Sequence, residues 1–143
     1  MESVGFIQQE FRRLANPRKA KPMAAYMKTD MPFYGVQKPA RVAVCQELKR
    51  RFPIESAAQY RRAVLALWNL PHREEKYAAI WLAQACPRFI KPGAMPLYRR
   101  LIVEGAWWDF VDDVAIRLAG MVWLHHRETA SAIMDRWVEH DCV

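Results

Sequence analysis

The chain has 143 residues, 52% of them hydrophobic and 12% aromatic, enough for one core of ordinary domain size and too rich in core formers for a disordered or low-complexity tail. Its 22 Lys and Arg outnumber 15 Asp and Glu for a net charge of +7, which suggests a polyanionic partner. Cys45, Cys86 and Cys142 are odd in number and form no CxxC pair, so a disulfide framework is not expected and a reducing, cytoplasmic location is the simpler reading. Met1-Glu2-Ser3 lacks the basic start of a cleaved signal, and the longest uncharged stretch, 77–87, is far shorter than the ~20 residues of a membrane span.

In chain order, Ser3 is placed to cap a first helix whose Val4, Ile7, Phe11 and Leu14 recur at spacings of three and four, ended by Asn16-Pro17. A shorter second helix holds Met23, Ala24 and Met27, and 29–38, with Pro32 and Gly35, reads as a loop. Pro39 suits the first turn of a third helix, with Val42, Cys45 and Leu48 as its apolar stripe and Phe52-Pro53 as its stop. Further helices are expected near 56–68, 72–85, 96–103, 107–119 and 128–139, separated by Pro71, Pro87, Pro92-Gly93, Gly105 and Gly120. No stretch alternates as a strand would, so the class is all-α. Starts at Pro39, His72 and Trp107 recur with two helices per interval, which suggests a stacked helical-repeat solenoid occupying 1–143 as a single domain.

Charge is segregated along the chain. Residues 1–105 carry 19 Lys and Arg against 8 Asp and Glu, whereas 106–143 carry 3 against 7. The acidic part opens on Trp107-Trp108-Asp109-Phe110-Val111-Asp112-Asp113. At about 100° per residue, Trp107, Phe110, Val111, Val114 and Leu118 form one core stripe, while Trp108 and Asp112 lie together off its edge, one turn apart. An indole face beside a carboxylate is suited to stabilise a cation in a partly dry site. The competing reading is that Trp108 packs on a neighbouring helix and Asp112 is solvated or ion-paired; Asp109 and Asp113, further round, are read as solvated.

The Trp107-Trp108-Asp109 and Val111-Asp112 run stands with Asn16-Pro17 through Lys19-Ala20, Pro22-Met23-Ala24, Tyr26-Met27-Lys28, Gly35-Val36-Gln37-Lys38-Pro39, and Leu67-Trp68-Asn69-Leu70-Pro71 with Arg73-Glu74. In these stretches the chain resembles the AlkD-type DNA alkylation repair family of bacterial DNA glycosylases. The resemblance implies a right-handed solenoid of paired antiparallel helices, the HEAT-like repeats, with a concave basic face for alkylated duplex DNA. It implies excision of positively charged N3- and N7-alkylpurines without insertion of the damaged base into a protein pocket, and no metal or other cofactor. The catalytic aspartate of the family maps onto Asp112 and its site tryptophan onto Trp108. Its DNA contacts near the first repeats map onto Tyr26 and Gln37, with Lys38 beside them. The family continues into further repeats carrying an arginine and a second tryptophan of the site. This chain, ending at Asp141-Cys142-Val143, is therefore expected to be the N-terminal, truncated part of a longer domain, with an uncapped last repeat through which copies would self-associate.

Other features have plainer expectations. Of the doublets Arg12-Arg13, Arg50-Arg51, Arg61-Arg62 and Arg99-Arg100, only one member each can face a given groove. His125, His126, His140 and Cys142 lack zinc-site spacing. Trp68, Trp81, Trp123 and Trp137 sit at core-like positions, and Tyr26 and Tyr34 flank a loop from which each would either reach DNA or act as a packing lid. Three functions stay open at this point: an alkylpurine glycosylase, a non-catalytic DNA-binding solenoid, and a helical-repeat adaptor for proteins.

Overall fold

A computed structural model describes residues 2–27, 31–105, 118–125 and residue 133. No strand occurs among the described residues, so the all-α class is met. Helices α1 (Glu2–Leu14), α2 (Pro17–Met27), α3 (Lys38–Arg51), α4 (Ala57–Trp68), α5 (Arg73–Gln84) and α6 (Met95–Gly105) follow one another, and α7 (Gly120–His125) comes after them. Two single turns of 3-10 helix, Pro87–Phe89 and Pro92–Ala94, lie between α5 and α6. The starts of α3 and α5, Lys38 and Arg73, each fall within one residue of those expected at Pro39 and His72. The expected helices at 107–119 and 128–139 lie outside the described residues except for 118–119 and 133. No described helix is long and apolar enough to cross a membrane.

Local chemistry sets most helix ends. Ser3 falls inside the first turn of α1 rather than capping it, and Glu2 supplies negative charge at that end. The Asn16 side chain accepts the Arg18 N–H at 3.1 Å, so Asn16 caps α2 with Pro17 in the first turn, where a missing N–H costs nothing. That makes α2 longer than the hydrophobic spacing predicts, and it runs through Pro22. Ser56 Oγ accepts the Gln59 N–H at 3.1 Å and caps α4. At α5 the Glu75 carboxylate reaches back to the His72 N–H at 2.8 Å, the return half of a capping box. Gly120 differs from expectation. It starts α7 directly after the helical turn at Leu118 and Ala119 instead of separating two helices.

The chain divides into two compact units, Met1–Glu55 with Arg62–Leu82, and Ser56–Arg61 with Ala83–Val143. In the first, α1 packs on α3 and buries Ile7 and Phe11 with Val44, Cys45 and Leu48, joined by Val64, Leu67 and Trp68. Burial pushes the Cys45 thiol up to about 12, which makes it an inert packing group. In the second, Tyr98, Leu97, Leu101, Ile102, Leu118 and Val122 are buried. There the Tyr60 hydroxyl donates to the Ala83 carbonyl at 2.8 Å and meets the Tyr98 hydroxyl at 2.9 Å, so two buried phenols satisfy each other. Trp68 is buried as expected, but Trp123 is 37% exposed and is not a core residue. Trp137 lies outside the described residues.

Candidate nucleic-acid interface

The segment Met31–Gln37 has no regular structure, yet Tyr34, Gly35 and Val36 are buried. Buried backbone amides need acceptors, and a single side chain provides them. Glu74, fully buried near the start of α5, accepts the Tyr34 N–H at 3.0 Å through Oε1, and the Gly35 and Val36 N–H groups at 2.8 and 3.0 Å through Oε2. Successive amides wrapped round a carboxylate form an anion nest, and the positive φ of 89° at Gly35 is what turns them to one side. The same glycine lies against the α1–α2 junction, where a Cβ would sit 2.0 Å from the Asn16 carbonyl oxygen. Asn16 N–H donates to the Tyr34 carbonyl at 2.8 Å, and Arg73 N–H to the Pro32 carbonyl at 2.9 Å.

Glu75 completes the clasp. Its Oε2 accepts the Tyr34 hydroxyl at 2.8 Å, and the Tyr34 ring stacks on His72 at 3.7 Å and tilts against Phe11 at 5.7 Å. Burial, with the Glu75 carboxylate beside it, pushes the Tyr34 phenol well above its ordinary range. Tyr34 is therefore the packing lid and not a surface contact. One turn on, Lys76 donates to the Trp68 and Leu70 carbonyls at 2.8 and 2.9 Å, placing a cation on the last carbonyls of α4. Asn16-Pro17, Gly35-Val36, Leu67 to Pro71 and Arg73-Glu74, scattered in sequence, thus meet in one construction that fixes where α3 begins.

What that construction holds in place is a groove of about 670 Å³. Pro22, Met23, Tyr26 and Met27 of α2 form one side, Phe33 the loop end, and Gln37, Lys38, Pro39 and Arg41 the side at the start of α3, with Tyr77 of α5. The residues expected to contact DNA, Tyr26, Gln37 and Lys38, are brought together there. Tyr26 is 86% exposed, so a large aromatic side chain is presented to solvent. Gln37 accepts from the Lys19 ammonium at 3.1 Å, which holds its amide at the groove rim and explains why it does not cap α3. Among the described residues lining the groove none is acidic, and Lys38 and Arg41 make it electropositive.

Two groove residues were not anticipated from sequence. The Arg41 guanidinium stands 4.4 Å over the Tyr77 ring, and Arg73 lies 5.6 Å from the same centroid, so the ring orients the cation at the groove. Arg41 shares a helix face with Gln37 and Lys38 by its spacing of three and four, a signal present in the sequence. Tyr77 arrives from a different helix, and no local pattern announces it. Several other cations are engaged on their own helices instead. Arg13 pairs with Glu10 at 2.9 Å, Arg51 with Glu47 at 2.7 Å and Arg100 with Glu104 at 2.6 Å, while Arg50 also bonds Glu47. Such pairs are exposed and worth little.

Trp108 and Asp112 lie outside the described residues, as do His126, His140 and Cys142. Among the described residues no three His, Cys, Asp or Glu side chains are grouped as a metal site. The chain matches the family described as DNA alkylation repair enzyme over residues 7–143. No individual curated protein matches it significantly.

Proposed function

The chain belongs to the DNA alkylation repair enzyme family, and from that premise we propose that it is a DNA glycosylase that hydrolyses the N-glycosidic bond of N3- and N7-alkylpurines in duplex DNA. The observation that carries this reading is the meeting of Tyr26, Gln37 and Lys38 on one electropositive groove, a surface suited to a DNA backbone. The net charge of +7 supports the same partner. The protein then works in the cytoplasm, on the chromosome.

An alkylated purine is already cationic, so it departs without a general acid. The difficult part of the barrier is the sugar, which becomes oxocarbenium-like as the bond breaks. In this proposal the Asp112 carboxylate stabilises that charge and orients the attacking water, and Trp108 holds the deoxyribose against its indole face. Lys38 and Arg41 neutralise phosphates, and Tyr26 lies against the exposed strand edge. Incubating methylated duplex DNA with the protein should release 3-methyladenine and 7-methylguanine. Removing one such preorganised charge costs ~10²–10³ in rate, so Asp112→Asn should be slower by that factor. Undiminished release in Asp112→Asn overturns the mechanism, and salt-sensitive duplex binding without any release by the unaltered chain replaces it with a non-catalytic DNA-binding role.

A further inference from the structure

A second cleft lies wholly within the unit formed by Ser56–Arg61 and Ala83–Val143. It has a volume of about 660 Å³, within the range of small-molecule sites. Arg61, Arg88 and Lys91 line it together with the Phe89 ring, Gly93 and Leu97, and no acidic residue lines it among those described. Arg61 and Lys91, two like charges on one cavity, repel each other, an arrangement that becomes favourable when an anion enters. Arg61 and Lys91 are exposed, so their charged ends can reach an incoming group without first giving up a burial site.

The walls are tied by local hydrogen bonds. Pro87 and Pro92 each open a 3-10 turn, and the Phe89, Ile90 and Ala94 amides are bonded back to the Cys86, Pro87 and Lys91 carbonyls at 3.0, 3.1 and 2.8 Å. Beneath, Tyr60 is locked by its bonds to Ala83 and Tyr98 and supports Phe89 at 5.5 Å. The Arg88 guanidinium lies over the Phe89 ring, 4.9 Å from its centroid, so the ring backs a planar cation. A guanidinium fork suits phosphate oxygens, an ammonium adds a point charge, and a guanidinium plane suits stacking on a nucleobase.

We propose that this cleft is a phosphate-binding site that takes a nucleotide unit, separate from the groove that holds Tyr26. The unit is supplied either as a free nucleotide or within a strand, and the proposal does not depend on glycosidic-bond hydrolysis. The test is calorimetric titration of the full chain with adenosine 5′-monophosphate, inorganic phosphate and adenosine, beside fluorescence titration with an undamaged duplex, for the unaltered protein and for Arg61→Ala/Lys91→Ala. Both positions are exposed, so the fold should survive, and thermal melting checks that it does. For a free nucleotide, the monophosphate should bind at least tenfold more tightly than adenosine, inorganic phosphate should compete, and the double variant should lose at least tenfold in affinity. For a strand, the duplex affinity should fall and its salt slope become shallower in the double variant, while Lys38→Ala leaves the Arg61 cleft unaffected. Unchanged monophosphate and duplex binding in Arg61→Ala/Lys91→Ala overturns the proposal, whatever Asp112→Asn does to base release.

Discussion

Replacing Glu74 by Gln tests the construction on which the groove rests. The carboxylate serves three amides, one through Oε1 and two through Oε2. A glutamine retains one acceptor oxygen. Turned to keep Gly35 and Val36, it points its NH2 group at the Tyr34 N–H, and that buried donor loses its acceptor. An unsatisfied buried amide costs about 1–3 kcal/mol, and exchanging an ionised for a neutral acceptor weakens the other two bonds, so Glu74→Gln should destabilise by roughly 2–4 kcal/mol. For a chain of 143 residues that is about 3 °C in Tm per kcal/mol, hence a fall of roughly 6–12 °C. Amide exchange gives the local readout. Tyr34, Gly35 and Val36 should lose protection more than amides in the middle of α6, and duplex affinity should drop although Glu74 is itself buried. An unchanged Tm with those three amides still protected would refute the reasoning.

Other expectations follow from the same structure. Gly35→Ala places a Cβ against backbone at a positive φ, so we expect a loss of roughly 2–5 kcal/mol in urea unfolding; a variant as stable as the parent would mean the loop is free to shift. Lys38→Ala should weaken duplex binding for every sequence alike and reduce the slope of log K against log salt by about one, measured by fluorescence anisotropy between two salt concentrations. In the second unit, burial pushes the Tyr98 phenol up to about 12, while an unfolded tyrosine ionises near 10. The raised value belongs to the neutral form, so its stabilisation is complete below pH ~10 and lost as pH rises toward 12, about 1.4 kcal/mol for each unit of difference. Alkaline denaturation should therefore begin near pH ~10, followed by absorbance at 295 nm. At the acid end, the Arg50 and Arg51 bonds hold the half-buried Glu47 down at about 2, so its small contribution is present above the usual carboxylate range and disappears as pH falls through that value. Circular dichroism in acid should show no sharp transition attributable to it alone, since Glu47→Gln should shift the profile little.

Local periodicity and end signals were enough for most of the helices among the described residues. Ile7 and Phe11, Cys45 and Leu48, and the stops at Asn16-Pro17 and Phe52-Pro53 all follow from residues within a few positions of one another. Where the reading went astray, the signal was weak or not local. Asn16 and Pro17 start a helix as well as end one, which lengthened α2, and Trp123, at a helical spacing, is 37% exposed. Tyr26, Gln37 and Lys38 entered as correspondences to a family, because a tyrosine, a glutamine and a lysine near a loop have no pattern that marks them as a site.

Their convergence was decided by tertiary structure. A carboxylate 38 to 40 residues away organises the loop before α3, and neither Glu74 nor Tyr34 looks different in sequence from any acidic or aromatic residue near a turn. Hydrophobic spacing encodes which face of a helix is buried because the interaction of each residue with its own helix is local. Which helices face one groove depends on how loops satisfy their buried amides, and those acceptors come from wherever the fold brings them.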